Sequence, residues 1–205
     1  GMGTSGLVNA FDPMADGERQ IVGGVMGEIV EDMFERGFLG PQVKPDFWRK
    51  HYHCWTPFKS EGLKLILDEK VIDAGVDVKL YTRLVEADVT DRKVDGVVIH
   101  SIEGLSYVPG KMFIDATGDA VLADLAGAEC RSNPEFMPGT LASLFGGIDW
   151  ERVEKGVEWE NLVKAIDEDH FTQRDRHLPG MSRVGDSIGY LNGGHLFGKD
   201  PLTCK

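Results

Sequence analysis

The stretch FIDATGDAVLADLAGAE, residues 113–129, decides the fold of this chain. An apolar run ends in an acid, and the tetrapeptide Ala-Thr-Gly-Asp at 116–119 leads directly into an Ala- and Leu-rich helical pattern. This order predicts a buried strand that turns sharply into a helix. The carboxyl ends of strands in an open α/β sheet face the crevice in which ligands lie. The turn is therefore a candidate binding site.

The residue types in this turn fit two roles. Gly118 has no Cβ, which lets the backbone approach a ligand closely, and the N-terminus of the following helix offers unpaired N–H groups. Thr117 can cap that helix or donate a hydrogen bond. Asp119 can cap the helix, accept from a ligand hydroxyl, or hold a water. The residues alone leave helix capping and ligand binding equally open.

Hydrophobic periodicity predicts the other elements. Helices are predicted over 21–36, ended by Gly37, and over about 60–73, with Ser60 as N-cap. Alternating patterns predict strands over 76–82, 84–90, 94–102 and 111–117, and the short joint at 91–93 fits a hairpin. Later segments predict a strand over 139–148, a helix over 150–167, and strand and turn in the Gly-rich stretch 180–198.

Composition excludes several classes of function. The chain has 34 acidic against 22 basic residues and a net charge of −12, so no nucleic-acid partner is expected. Cys54, Cys130 and Cys204 are too widely spaced for a CxxC zinc site or a disulfide framework, which favours a reducing, cytoplasmic setting. No apolar run reaches the ~18 residues of a membrane span, so no membrane partner is expected.

The opening stretch resembles the second flavin-associated motif of FAD-dependent oxidoreductases with the glutathione-reductase-type Rossmann fold. Within that family it is similar to the branch that carries IDATGD followed by a helix ending in LAGA. Other segments agree in order. TSGLVNAF resembles the loop after the family's GFLGG segment, and GGVMGEIVEDMFERG resembles its first post-loop helix. LKLILDEKVIDAGVDVKLYTRLVEADV resembles a helix and the adenine-side strand, and GYLNGGHLFG resembles a turn of the substrate domain.

The resemblance implies FAD as the cofactor and flavin-mediated hydride transfer with a small-molecule substrate. The implied cofactor-binding residues are Thr4, Ser5, Gly6, Leu84, Ala116, Thr117, Gly118 and Asp119. The implied fold class is α/β, in an α+β form for this chain. Residues 1–135 would form part of an FAD/NAD(P)-binding Rossmann-like domain with a β-meander, and residues 136–205 part of a substrate domain. No catalytic residue is implied.

One unit of the family pattern has no counterpart in the sequence. The family's strand, GxGxxG loop and helix hold the ADP half of FAD, and Gly1, Gly3 and Gly6 match the glycine spacing without a preceding strand. We therefore expect the chain alone, as a fragment of such an enzyme, to bind FAD weakly or not at all. We also expect it to expose apolar surface that favours homo-oligomers. The alternatives are a non-catalytic fragment that acts as an assembly partner and, less favoured, a nicotinamide-dependent enzyme.

Histidines supply the remaining candidates. His51, His53 and Cys54 lie close together, but a metal site needs three or four ligands, and no metal is predicted. This stretch otherwise fits an aromatic loop on the substrate side or ordinary packing. His195 is either a proton donor beside a flavin or a structural histidine.

Overall fold

The computed structural model describes residues 3–4, 7–8, 10–51, 55–131, 139–153, 157–170 and 181–196. Its elements, in chain order, are β1 (Ala10–Phe11), α1 (Val25–Glu35), α2 (Asp46–Arg49), β2 (Thr56–Pro57), α3 (Ser60–Asp73), β3 (Arg83–Thr90), β4 (Lys93–Ser101), β5 (Gly104–Pro109), α4 (Val121–Leu125), β6 (Gly139–Gly146), α5 (Val157–Asp167), β7 (Met181–Arg183) and β8 (Ile188–Leu196). They divide into two compact units. The first unit comprises residues 1–76 and 136–205, and the second comprises residues 77–135.

The main hydrophobic core lies in the first unit, where α1 packs against α3. The rings of Phe11 and Phe58 stack with their centroids 4.2 Å apart. The buried core residues are Phe11, Met14, Ile29, Val30, Met33, Leu39, Val43, Trp48, Phe58, Leu63 and Ile66. The buried apolar residues of both helices thus face one shared core, and they recur at three- and four-residue spacing.

The two predicted helices of this unit are confirmed. The helix predicted over 21–36 begins only at Val25, after Gly24, which has a φ of 58°. It ends as predicted at Gly37, where a φ of 67° lets the Phe38 N–H donate back to the Met33 carbonyl at 2.7 Å.

The second helix has the predicted bounds, Ser60–Asp73, but the prediction of Ser60 as its N-cap is wrong. The extended residue before the helix is Lys59, and Ser60 is already helical. The Ser60 Oγ is buried with no hydrogen-bond partner among the described residues.

Glycine occupies the third position of both helices, with different surroundings. A methyl group at Gly62 in α3 would overlap the ring of Phe38, so this glycine permits close packing. A methyl group at Gly27 in α1 would meet only the flexible amide end of Gln20, at 3.3 Å. Packing therefore requires glycine at position 62 and does not require it at position 27.

The second unit contains the predicted meander, as an antiparallel sheet in the order β3-β4-β5. The strands predicted over 84–90 and 94–102 are confirmed to within one residue, whereas β5 was not predicted as a separate strand. Thr90 pairs with Lys93 across a two-residue turn. Asp91 and Arg92 have φ values of 49° and 65°, as a type I′ hairpin turn requires.

Tyr107 links all three strands of the meander. Its ring, on β5, covers Gly96 on β4 so closely that a Cβ at Gly96 would overlap it. Its hydroxyl donates to the Asp88 carboxylate on β3 at 2.8 Å. This hydrogen bond to Asp88, followed by burial, raises the pKa of Tyr107.

The predicted strands at 76–82 and 111–117 are wrong, since neither segment pairs with any strand that the structure describes. The side chains of Met112 and Ile114 are 83% and 88% exposed. Alternating apolar residues indicate that a segment is compatible with a half-buried strand. A β-ladder forms only where a neighbouring strand supplies hydrogen bonds.

A third sheet, in the first unit, has the order β6-β8-β7. The strand predicted over 139–148 is confirmed as β6, and the Gly-rich stretch forms β7 and β8 where it is described. The helix predicted over 150–167 is confirmed only as α5, because Trp150 to Arg152 form a turn and bend.

The fold class is confirmed in its α+β form, because helices and antiparallel sheets are mixed in the chain. The predicted division into cofactor and substrate domains at residue 135 concerns binding roles and stays a prediction. The two compact units are defined by contacts alone.

Candidate functional site

The turn at 116–119 is built around the carboxylate of Asp115. One oxygen, Oδ1, accepts from the Thr117 N–H at 3.0 Å and from the Thr117 hydroxyl at 2.7 Å. The other oxygen, Oδ2, accepts from the Ala123 N–H in the first turn of α4 at 3.0 Å. The Thr117 Oγ1 in turn accepts from the Val121 N–H at 3.0 Å. Two side chains therefore satisfy N–H groups that the start of α4 would otherwise leave unpaired.

These hydrogen bonds stabilise the ionised form of Asp115. The hydroxyl of Thr117, followed by the backbone N–H groups of Thr117 and Ala123, lowers the pKa of this carboxyl below its ordinary value. The carboxylate is consequently a fixed structural anion of the turn at neutral pH.

Thr117 has both of the chemical roles that its hydroxyl allows. It donates to Asp115 and accepts from Val121, so it does cap α4. Any direct contact of this hydroxyl with a cofactor stays a prediction.

Asp119 does not cap the helix. Its carboxylate makes no hydrogen bond or ion pair with any residue that the structure describes, and it is exposed. Of the roles predicted for this residue, capping is therefore wrong, and acceptance from a ligand hydroxyl or a water is left.

Asp119 lies between two residues with positive φ. Gly118 has a φ of 85°, and open space lies within 4 Å of the position that a Cβ would take. Ala120, just before α4, has φ 54° and ψ 36°, a left-handed conformation that is costly for a residue with a Cβ. Ala116 is exposed beside them. The turn thus exposes the Asp119 carboxylate, which bonds to no described residue. It also exposes the backbone at Gly118, beside which no side chain lies within 4 Å of a Cβ position.

The other predicted cofactor residues are distributed as follows. Leu84 is half-buried in β3, opposite Ile99, and β3 contacts α4, so Leu84 and the turn belong to the same unit. Thr4 is exposed and belongs to the first unit, which does not contain the turn. Ser5 and Gly6 lie outside the described residues.

The histidine candidates gain no support. His51 is exposed, and its ring meets the edge of Phe47 with the centroids 6.3 Å apart. His53 and Cys54 lie outside the described residues. His195 pairs with Thr140 in the third sheet, but its side chain is not described. In the described part of the chain no cluster of three or more His, Cys, Asp or Glu side chains could hold a metal ion.

Asp115 is the residue that the sequence reasoning missed. It was regarded only as the end of a strand, whereas its carboxylate organises the whole turn. The available signal was the pair Asp115 and Thr117, two residues apart, because an aspartate readily accepts from the backbone two residues further on.

A family model described as FAD dependent oxidoreductase matches residues 1–184. No curated protein matches the chain. Among the described residues, no helix is long and apolar enough to cross a membrane. Since the family model covers most of the sequence, the chain belongs to the FAD-dependent oxidoreductase family.

Proposed function

We propose that this chain forms part of the flavin site of an FAD-dependent oxidoreductase, with the turn at 116–119 facing the cofactor. The observation that carries this proposal is that the two aspartates of the turn differ in their hydrogen bonds. Asp115 is fully engaged within the turn, while Asp119, four residues later, has no partner among the described residues. A carboxylate that bonds to no described residue is available to a ligand.

The residues of the turn fit a nucleotide cofactor that carries hydroxyl groups. The Asp119 carboxylate would accept from a ribityl or ribose hydroxyl, as ionised acceptors form the stronger hydrogen bonds. The backbone at Gly118 would lie closest to the cofactor, since there is open space where a Cβ would be. Asp115 and Thr117 would hold this surface in shape without touching the cofactor.

Bound FAD would supply the hydride acceptor for a small-molecule substrate. The chain would contribute binding and orientation at the turn, and we extend the proposal to Leu84 and to the loop of Thr4, Ser5 and Gly6 on the resemblance alone. A Rossmann-like arrangement and a cytoplasmic location belong to the same proposal. The family and the three widely spaced cysteines, respectively, support them.

Gly118→Val tests the proposal directly. A branched side chain at this position should fill the space that the cofactor would occupy and weaken FAD binding steeply. Gly104→Val is the matched control, because Gly104 also has a positive φ, of 99°, and open space beside it, but is the first residue of β5. Both variants should lose similar stability on folding, which isolates the effect on the ligand.

FAD affinity and melting temperature should be measured for both variants, in the chain alone and in the intact natural protein. We expect weak binding by the chain alone. Equal FAD affinity for wild type and Gly118→Val would show that the turn does not face the cofactor. An intact protein that binds no FAD at all would instead favour the non-catalytic alternative, an assembly partner.

A further inference from the structure

Two parts of the first unit bury separate sets of apolar side chains. We call the described residues of 10–76 the helical lobe and those of 139–196 the sheet lobe. All the residues of the main core come from the helical lobe. The buried apolar residues of the sheet lobe are Ile166, Val184 and Tyr190, which lie outside that core. Among the described elements, no helix of the helical lobe packs broadly against a strand of the sheet lobe.

The loop that follows α1 contacts the sheet lobe at Arg183. The Gln42 side-chain amide donates to the Arg183 backbone carbonyl at 3.0 Å. The oxygen of this carbonyl also lies against Gly40, only 2.8 Å from the position that a Cβ would take. Gly40 has no positive φ, so its own conformation would accept another residue. Glycine is needed at position 40 because the Arg183 backbone approaches it closely.

The loop is a fixed part of the helical lobe. The Gly40 N–H donates to the Pro57 carbonyl at 2.8 Å, and the Val43 N–H donates to the Gly40 carbonyl at 2.9 Å. The Val43 side chain is buried in the main core. On the other side of the contact, Arg183 is the last residue of β7, which is an outer strand of the described third sheet. The loop therefore holds the sheet lobe by the edge of that sheet.

A cleft of about 300 Å³ lies beside this contact and is lined from both lobes. Leu39 and Val43, from the helical lobe, are buried residues of its lining. Gly185 and Asp186, from the sheet lobe, line it from the turn after β7. Separation of the lobes at Arg183 would therefore open the cleft to solvent.

The two charged residues of the cleft are each paired inside their own lobe. The Lys59 ammonium donates to the Gly37 carbonyl at 3.0 Å, within the helical lobe. The Asp186 carboxylate lies 3.9 Å from the Arg183 guanidinium, within the sheet lobe. These ion and hydrogen-bond pairs would survive a separation of the lobes, so they do not oppose it.

We propose that residues 40–42 form a latch. The sheet lobe docks on them through the Arg183 carbonyl, and release of this contact lets the sheet lobe move away and open the cleft while both lobes stay folded. Segments held by few apolar contacts open at a low free-energy cost. The family resemblance assigns residues 136–205 to a substrate domain, so the opening would admit substrate. That role rests on the proposed function, whereas the movement itself requires no FAD.

A methyl group at position 40 tests the close approach. Gly40→Ala places this group against the Arg183 carbonyl, and overpacking of a backbone contact should raise the ratio of open to closed molecules by about fivefold or more. Gly27→Ala is the matched control. It adds the same group in α1, where it meets only the amide end of Gln20, at 3.3 Å.

Removal of the side-chain amide tests the hydrogen bond. Gln42→Ala should raise the ratio of open to closed molecules by roughly two- to tenfold, as the loss of one hydrogen bond does. Gln20→Ala is the matched control, because the Gln20 amide donates locally, to the Val22 carbonyl at 2.7 Å.

The distance between the lobes is measured on the full chain by double electron–electron resonance. Asp68→Cys on α3 and Thr140→Cys on β6 supply one exposed labelling position in each lobe. The native Cys54, Cys130 and Cys204 are replaced by serine, and circular dichroism checks the fold of every variant.

A population at longer distance that grows in Gly40→Ala and in Gln42→Ala, with both controls unchanged, supports the latch. Distances unchanged in both variants would overturn it, and so would a change of equal size in the controls. Because the measurement needs neither FAD nor a substrate, its outcome is independent of whether the turn at 116–119 binds the cofactor.

Discussion

Replacing each aspartate of the turn by asparagine should separate cofactor binding from folding. Asparagine has the size of aspartate and caps helices about equally well, so each substitution removes mainly the charge. Asp119→Asn should leave the melting temperature unchanged, because the Asp119 carboxylate has no partner among the described residues. Asp115→Asn should lower it.

The expected loss of FAD affinity at Asp119 follows from the bond proposed there. A hydrogen bond to a charged group contributes about 1.5–3 kcal/mol. Its loss corresponds to a ten- to hundredfold weaker affinity, by roughly 1.4 kcal/mol for each factor of ten.

The expected loss of stability at Asp115 follows from its three acceptor contacts. An asparagine oxygen can still accept from Thr117, but its amide group then faces the Ala123 N–H, which is also a donor. The start of α4 would lose that cap. The turn should loosen, and the melting temperature of the variant should fall.

The contribution of Asp115 also has a defined pH dependence. Its folded pKa is lowered, chiefly by the hydrogen bond from the Thr117 hydroxyl. A lowered pKa stabilises the fold above the unfolded pKa, about 3.9, and this stabilisation is lost as the pH falls through the folded value. The difference in stability between wild type and Asp115→Asn should therefore shrink below about pH 4.

The assay is a pair of measurements on each variant: FAD titration of the intact natural protein and thermal melting of the chain at several pH values. The reasoning predicts that each variant changes a different measurement first. It would be refuted if Asp119→Asn lowered the melting temperature as much as Asp115→Asn does. Unchanged FAD affinity in Asp119→Asn would remove the proposed contact with the cofactor.

Four further substitutions test the fold. Gly27→Ala should stabilise α1 by about 0.5–1 kcal/mol, whereas Gly62→Ala should destabilise α3 by about 1–2 kcal/mol because overpacking outweighs helix propensity; denaturant midpoints of the two variants would contradict this if they shifted in the same direction. Ala120→Gly should stabilise the second unit by about 0.5–1 kcal/mol by relieving its left-handed backbone, measurable as a higher melting temperature. In Asp88→Asn the pKa of Tyr107 should fall toward its ordinary value, since the hydrogen bond that raises it is weakened; an unchanged ultraviolet titration curve would argue against that bond.

Local signals in the sequence predicted the secondary structure correctly where a segment interacts with its own neighbours in the chain. The helix ended by Gly37 and the hairpin turn at Asp91 and Arg92 were predicted because glycine, or a turn of fixed length, sets the backbone there. The same signals failed at 76–82 and 111–117, where the outcome depends on a distant strand. The period of the apolar residues gives no information about whether that strand is present.

In the candidate site, too, residue type alone did not determine which side chain has which role. Thr117 and Asp119 were both assigned a possible cap, since either residue type caps helices. Which of them does so depends on where the chain directs each side chain, and that direction is set by positive φ at Gly118 and Ala120 and by the carboxylate of Asp115. Once Asp115 and Thr117 satisfy the helix start, the Asp119 carboxylate has no structural task among the described residues. Its solvation is then retained only if water or a ligand hydroxyl bonds to it. The physical case for a ligand at this turn therefore rests on Asp119, the acid of the turn that bonds to no described residue.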